Sequence, residues 1–270
     1  MIYKIKSVLK EKGLRGLFPA IINYFLTRVF RLRIVRANSL AGNSTARKVF
    51  SKCKLSYSDD GFYFLDPMPT VDELDAYYSS VYWDSRAGKN YGMNMRDIVH
   101  FEILREFVSD ILVDGKVFMN FGAGHGGISH LCWLEGMEIV NVEPSSLPQF
   151  YMERWNTVEN IRKVKANSID LIYGSHSLEH VHNIDEFKSE VTRVLKPGGF
   201  IFWEVPNGVC SVKVHIPHTY YFETTFFEKW FSRTLLCGGY EQSHRFDVIQ
   251  DWKSFEDGKG AVIRALGQID

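Results

Sequence analysis

Four cysteines in 270 residues, Cys53, Cys132, Cys210 and Cys237, lie far apart and form no C-x-x-C pair. That excludes a disulfide framework and a zinc ribbon, and it fits a reducing, cytoplasmic compartment. Long apolar runs are missing as well. Near the N-terminus the longest uncharged run, residues 16–27, falls well short of the roughly 20 residues that cross a bilayer, and no small-residue cleavage signal follows it. Net charge is absent, with 32 Lys and Arg against 32 Asp and Glu, but the balance hides an asymmetry. Residues 1–54 hold 13 basic side chains against the single acid Glu11, so the rest of the chain is acidic by 12 charges. An acidic body repels a phosphate backbone, which argues against nucleic acid as a partner. Repeats and low-complexity tracts are absent too. With 45% hydrophobic and 14% aromatic residues, the chain can bury the core of one large α/β domain with an appendage.

What is present centres on residues 117–143. Val117-Phe118-Met119-Asn120-Phe121 is an apolar burst that runs into Gly122-Ala123-Gly124-His125-Gly126-Gly127. A helical pattern follows to Leu134, and a second burst, Ile139-Val140-Asn141-Val142, ends in Glu143. Strand, glycine-rich turn, helix and a second strand ending in a carboxylate is the layout of a nucleotide-binding β-α-β unit. Gly122, Gly124 and Gly126 let the backbone turn tightly and approach a ligand, and Glu143 can accept hydrogen bonds from two ribose hydroxyls. The glycine pattern alone is equally that of a plain strand-to-helix turn; the acid about 20 residues on favours the ligand.

Downstream, residues 169–173 read as a strand ending at Gly174-Ser175-His176, where a doubly wound sheet opens its crevice. Only 26 residues separate Glu143 from Asp170, for a helix around residues 147–155 and a short strand at 161–164. Asn183 with Glu186 caps a helix that Gly198-Gly199 ends, and residues 200–205 form another strand. Thr225 with Glu228 caps a further helix to Cys237, stopped by Gly238-Gly239. Residues 240–246 and 261–266 then read as a closing antiparallel pair.

Several of these pieces fall in a familiar order: the glycine loop with Glu143, Asp170-Leu171-Ile172-Tyr173, Leu178-Glu179-His180-Val181, Arg193-Val194-Leu195-Lys196-Pro197-Gly198-Gly199 and Glu204-Val205-Pro206-Asn207. The chain resembles, in these motifs, the class I S-adenosylmethionine-dependent methyltransferases, above all those acting on small molecules and sugars. The resemblance implies an α/β fold with a doubly wound, mostly parallel sheet of the seven-stranded, Rossmann-like type and an antiparallel C-terminal strand pair. It implies S-adenosylmethionine as cofactor, held by Asn120, Gly122, Ala123, Gly124, Gly126, Glu143, Ser175 and His176. One position departs from the pattern. Where the family usually carries Asp or Glu this chain has Asn120, so the link that helps seat the methionine end is an amide without the charge.

Ahead of the methyltransferase domain, residues 94–270, lie a basic arm, residues 1–50, and a cover segment, residues 51–93. In the arm, Phe18, Ile21, Ile22, Phe25, Leu26, Val29 and Phe30 share one helical face, with Pro19 in the first turn and Arg28, Arg31 and Arg33 at the far end. Residues 1–36 are expected either to dock on an anionic membrane surface, peripherally on its inner face, or to pack on the body or on a second subunit. A mitochondrial presequence is a third reading. In the cover segment Phe62-Tyr63-Phe64-Leu65 reads as a strand and Thr70 with Glu73 as a capping box for a helix through Leu74 and Tyr77. The segment looks like one that follows a cysteine-rich zinc knuckle in some methyltransferases, but only Cys53 of such a knuckle is present, so no zinc is expected. Ile98, Phe101, Leu104, Val108 and Ile111 mark a helix expected to cover the cofactor pocket.

The acceptor side rests on histidines. His176-Ser177-Leu178-Glu179-His180 matches H-x-x-E-H, the inverted zinc-protease signature, yet it follows a strand end instead of lying on an established helix. No metal site is assigned. Glu179 and His180 are expected to brace the turn by hydrogen bonds, with a divalent ion on His176, Glu179, His180 and one of His215 or His218 as the alternative. His176, His218 and His180 are the candidate bases, His176 first because it occupies the first turn after the strand, His218 second with Tyr220 and Tyr221 as walls for a sugar face. The resemblance implies methyl transfer to a small-molecule acceptor, a hydroxyl of a sugar or of a lipid-linked glycan intermediate. A degenerate fold kept as a non-catalytic scaffold or binding partner is the alternative.

Overall fold

The computed structural model describes residues 33–34, 52–77, 93–145, 153–208, 217–240 and 260–270. The arm predicted to be an amphipathic helix, the helix predicted around residues 147–155 and His215 fall outside these residues, wholly or for the greater part.

The chain first builds a small antiparallel sheet. Strand β1 (Arg33–Ile34) pairs with β2 (Lys54–Ser58), which turns back through Asp59-Asp60-Gly61 into β3 (Phe62–Asp66). Helix α1 (Val71–Tyr77) starts at the predicted capping box: Thr70 N–H donates to Glu73 Oε2 at 2.9 Å, and Glu73 N–H to Thr70 Oγ1 at 3.3 Å. Helix α2 (Met95–Val108) has a second such box, formed by Asn94 and Asp97. Its apolar side, Val99, Phe101, Ile103, Leu104 and Val108, packs with Phe118, Tyr173, Phe202 and Leu236 of the main sheet, so the predicted helix is present and covers that face.

The main sheet follows from the strand, glycine, helix rhythm of the sequence. Strand β4 (Val117–Phe121) leads through the glycine loop into α3 (Gly127–Leu134), then β5 (Glu138–Val142) and the short β6 (Asn156–Val158). Next come β7 (Ile169–Ser175), α4 (Ile184–Val194), β8 (Leu195–Pro206), β9 (Tyr220–Phe222), α5 (Thr224–Trp230), β10 (Arg233–Tyr240) and β11 (Val262–Gln268). Spatial order is β10-β11-β8-β7-β4-β5-β6, parallel except that β11 runs against both its neighbours. This is the predicted doubly wound α/β sheet of seven strands with an antiparallel C-terminal pair.

Three local expectations are corrected. The predicted strand at 161–164 is a 3-10 turn, Ile161–Lys163 capped by Asn160, because the pairing partner of β5 is taken from residues 156–158. Helix α4 ends before Gly198-Gly199: residues 167 and 168 donate their N–H groups to the carbonyls of Arg193 and Val194, closing the last turn without a glycine. Helix α5 stops at Trp230, not Cys237, and Glu223 precedes it with no side-chain cap. Residues 233–240 pair with β11 along their length, and that ladder outweighs local helical patterning. The predicted closing pair is present where it is described, as β10 with β11 meeting at Tyr240 and Val262; residues 241–246 lie outside the described residues.

Strand β9 ties the two sheets together. It pairs with β3, so the small sheet runs β1-β2-β3-β9, while Phe222 also bridges Asn207 at the end of β8. Phe62, Tyr220, Phe222, Phe226 and Phe227 therefore join Trp203 and Trp230 in one aromatic core, which the small sheet and the main sheet share. Burying one such ring contributes about 1.5–3 kcal/mol.

Candidate active site at the glycine loop and a histidine cluster

Strand order reverses between β4 and β7, where an open α/β sheet forms its ligand crevice. Both strands deliver polar residues there. After β4 the backbone takes left-handed steps at Gly122 (φ 68°), Gly124 (53°) and Gly126 (71°) before α3 begins. Gly122 has no room for a side chain, since a Cβ there would stand 2.5 Å from that of Ser177. Gly124 is the opposite case, with nothing within 4 Å of a Cβ. One glycine seats the loop against the residues that follow β7; the other leaves a bare backbone for a ligand to approach.

The N–H groups of Gly122 and Ala123 donate to the Val142 carbonyl at 2.9 and 3.2 Å, fastening the loop to the end of β5. Glu143 comes next and is buried. Its Oε2 accepts the Gly124 N–H at 2.9 Å and its Oε1 the Ser145 N–H at 3.0 Å. Burial pushes its pKa up, against the pull of those two bonds. Held by two backbone donors, the carboxylate has a fixed direction beside the bare glycine loop. Asn120 lies deeper. Its Nδ2 donates to Ser129 Oγ at 2.9 Å, and Ser129 Oγ donates to Asn141 Oδ1 at 2.8 Å, a buried chain that links β4, α3 and β5.

The β7 side is built on two buried carboxylates. Glu204 on β8 holds Arg264 Nε at 2.9 Å and His100 Nε2 at 2.7 Å on Oε2, with Ser175 Oγ and His176 Nε2 each 3.3 Å from Oε1. Burial alone would raise its pKa; His100, His176 and Arg264 reverse that and hold it well below the usual range. Burial drives His100 down to about 4 despite Glu204. At neutral pH the His100 ring is therefore uncharged, donating from Nε2 to Glu204 and accepting at Nδ1 from the Tyr173 hydroxyl at 2.7 Å. Arg264 is left as a permanent countercharge.

His176 occupies the bend after β7 at φ 52°, with its N–H on the Glu204 carbonyl at 2.8 Å. Its Nδ1 lies 3.3 Å from Glu179 Oε1. Burial would lower its pKa, but Glu179 and Glu204 outweigh burial and raise it to about 9. The residue ranked first as a base is thus an imidazolium at neutral pH, set between two anions. Because it precedes the 3-10 turn Leu178–His180, it shares no helical face with His180, and the protease signature falls away.

Glu179 is 1% exposed. Besides His176, it faces His180 Nε2 at 3.9 Å and His218 Nε2 at 4.0 Å, both from Oε1. The three imidazoles overcome burial and bring its pKa down to about 2. The rings of His180 and His218 meet edge-on at 4.8 Å. Thr219 joins their two segments: its N–H donates to the Glu179 carbonyl at 2.8 Å, and its hydroxyl is shared between the carbonyls of Glu179 and Val181 at 3.0 and 2.7 Å. Tyr220 and Tyr221, predicted to wall the acceptor, are both buried and point to opposite faces of β9. Tyr220 joins the aromatic core, its hydroxyl accepting the Ile184 N–H and donating to the His182 carbonyl, whereas the Tyr221 ring stays beside the cluster, its centroid 5.9 Å from that of His218 and its hydroxyl on the His218 carbonyl.

The structure thus brings Gly122 to Gly126, Glu143, Ser175, His176, Glu179, His180 and His218 to one end of the sheet. Sequence reasoning missed His100, the role of Glu204, and Arg264. They sit 104 and 60 residues from Glu204. The available signal was a charged or polar residue where an apolar one belongs: His100 between Val99 and Phe101, Arg264 between Ile263 and Ala265.

The methyltransferase-domain family matches residues 95–252, more than half of the chain. No curated protein matches it. Among solved structures, a SAM-dependent methyltransferase from Aquifex aeolicus is 15% identical, with a TM-score of 0.46 over 63% of this chain and 89% of that one. An S-adenosylmethionine-dependent methyltransferase from Mesorhizobium loti is 17% identical, with a TM-score of 0.36 over 41% of this chain; the match spans 54% of that protein, about half its length. A phosphoethanolamine N-methyltransferase 2 from Haemonchus contortus, solved with phosphomonomethylethanolamine and S-adenosylhomocysteine, is 21% identical, with a TM-score of 0.37 over 50% of this chain and 33% of that one. None of the three reaches a TM-score of 0.5, and none bears on the acceptor. By its family match, and in keeping with its sheet order and glycine loop, the chain belongs to the methyltransferase-domain family, the class I S-adenosylmethionine-dependent enzymes.

Proposed function

We propose that the chain transfers the methyl group of S-adenosylmethionine to a hydroxyl of a small-molecule acceptor, a sugar or a lipid-linked glycan intermediate. One observation carries the reading. The bare, left-handed Gly124 and the Glu143 carboxylate that holds its N–H form a cradle in which a Cβ would stand where a ligand must pass, and a ribose finds a fixed acceptor beside it. Gly122, Ala123, Gly124, Gly126 and Glu143 would hold the nucleoside, with Asn120, Ser175 and His176 toward the methionine end. S-adenosylmethionine, when bound, supplies a methyl group on a sulfonium sulfur for in-line displacement.

The chain's own tasks are to align the acceptor oxygen, exclude water and take up the hydroxyl proton. His176, charged at neutral pH, is suited to hold Glu179 and Glu204 in register. The proton is drawn off at the Glu179, His180 and His218 cluster, where the carboxylate orients the rings and stabilises positive charge. The polar character of this cluster supports a hydroxylated acceptor over an apolar one. Calorimetry with S-adenosylmethionine and S-adenosylhomocysteine tests the cofactor. With an acceptor in hand, His218→Ala should bind cofactor normally and lose about a hundredfold in turnover; unchanged turnover refutes the assignment.

The basic arm belongs to the same proposal. No helix among the described residues is long and apolar enough to cross a membrane. Residues 1–36 instead hold the enzyme peripherally on anionic lipid, close to a lipid-linked acceptor. Vesicle co-sedimentation should fall with salt and vanish when these residues are deleted; binding that survives deletion refutes it.

A further inference from the structure

We infer that Glu179, His180 and His218 form a site for one divalent transition-metal ion, and that this ion holds the acceptor oxygen. The second half rests on the methyltransferase reading; the first stands without it. One ligand atom from each of the three residues lies within 4.8 Å of the other two. A cation among them needs each donor to move in only slightly to reach bonds of roughly 2.0–2.2 Å.

Glu179 points to a ligand independently of that convergence. It is almost wholly buried, yet neither carboxylate oxygen has a well-formed hydrogen bond among the described residues. Its nearest donor is His176 Nδ1, 3.3 Å from Oε1, and the ring nitrogens of His180 and His218 stand at 3.9 and 4.0 Å, near enough for attraction but too far to bond. Buried carboxylates are normally fully satisfied, and a partly met one is costly. A cation between Glu179, His180 and His218 supplies the contact that His176 alone does not.

The surroundings match a metal site in three further ways. Thr219 ties the His218 segment to the backbone of Glu179 and Val181, so the ligands are brought together by the fold. His176 stands behind the carboxylate, 3.3 Å from Glu179 Oε1 on one side and 3.3 Å from Glu204 Oε1 on the other, the outer support that ligating groups commonly have. The side chains of His180 and His218 are 17% and 16% exposed, so the cluster has an open side. Three protein ligands and an open position are the arrangement of a catalytic ion, not a structural one. Two imidazoles with one carboxylate select zinc or a neighbouring first-row metal over magnesium or calcium, which prefer oxygen. With the ion bound, the two imidazoles serve as ligands in place of bases: a hydroxyl on such an ion is more acidic, and its proton can leave to solvent before the oxygen takes the methyl group and the sulfonium sulfur departs as a thioether.

The test uses the full chain, untagged and stripped with a chelator. Calorimetric titration with zinc should give one ion per chain. His180→Ala and His218→Ala should each weaken zinc at least tenfold, while His182→Ala, outside the cluster, leaves it unchanged. No zinc binding, or a loss below tenfold in both variants, overturns the proposal and leaves the cluster balanced by protons alone. Should the variants fail to fold, cobalt decides in the unmodified chain: visible ligand-field bands that zinc displaces are expected, and their absence overturns it. S-adenosylmethionine is titrated into the same samples. Zinc binding without cofactor binding would sink the methyltransferase reading and keep the metal; cofactor binding without zinc would do the reverse.

Discussion

Glu143 can be replaced by its isostere, and the structure says why that should fail. Both carboxylate oxygens accept a backbone N–H, from Gly124 at 2.9 Å and from Ser145 at 3.0 Å. Glutamine has one oxygen and one NH2 group, so whichever way the amide turns, the NH2 meets a donor. One clamp on the glycine loop is lost, and the ribose faces a neutral acceptor in place of a charged one. A hydrogen bond to a charged group contributes about 1.5–3 kcal/mol, so Glu143→Gln should weaken S-adenosylmethionine about ten- to a hundredfold. Glu143→Ala, which removes both clamps, should match or exceed that loss. Calorimetry with S-adenosylmethionine and S-adenosylhomocysteine at fixed salt measures it, with circular dichroism to confirm that each variant is folded. An affinity within threefold of the unmodified chain in folded Glu143→Ala would refute the reasoning.

Glu204→Leu strips the countercharge from buried Arg264 and an acceptor from His100, and should cost about 3–5 kcal/mol in urea denaturation; a loss under about 1 kcal/mol contradicts the network. Gly124→Ala should abolish cofactor binding at a stability cost of about 1–2 kcal/mol for the left-handed backbone, whereas Gly122→Ala, driven into Ser177, should destabilise more; the reverse ranking in thermal melts would show the loop is misread. Asp170 accepts Val117 N–H at 2.9 Å and the ammonium groups of Lys196 and Lys116 at 2.6 and 3.3 Å, which lower its pKa against the opposing effect of burial. Its stabilisation is complete above the unfolded pKa, near 3.9, and is lost as pH falls through the depressed folded value. The gap between the chain and Asp170→Asn, about 1 kcal/mol at neutral pH because both lysines are partly exposed, should therefore close in acid; a gap independent of pH refutes it.

The parts of this protein that could be read from its sequence are those whose cause is local. Gly122, Gly124 and Gly126 adopt left-handed conformations because of their own backbones, Thr70 and Asn183 cap the turns that immediately follow them, and the apolar bursts at 117–121 and 169–173 are strands because their residues suit nothing else. Residues 233–240 misled for the opposite reason: only β11, some thirty residues later in the chain, makes them a strand. Tyr220 reads as a site residue, but β9 pairs with β3 and its ring enters the aromatic core, while Tyr221, on the opposite face, stays against His218. At the site itself His176, Glu179 and His180 were visible as a motif, but the charge of His176 depends on Glu204, 28 positions away in sequence, and no spacing rule connects them.

Strand β11 has a consequence for the order of assembly. Among the described residues it is the last strand in chain order, yet it lies in the interior of the sheet, between β8 and β10. A nascent chain short of Val262 leaves β10 with no neighbour and β8 with an open flank, so sheet closure waits for late, long-range pairing, the slow kind. The same strand carries Arg264, the permanent countercharge of Glu204. Closing the sheet and neutralising its central carboxylate are therefore one event: until β11 slides in, Glu204 does better exposed to water than in place, and the His176 bend that hangs on it has no fixed anchor. The enzyme cannot be half-built with a working pocket.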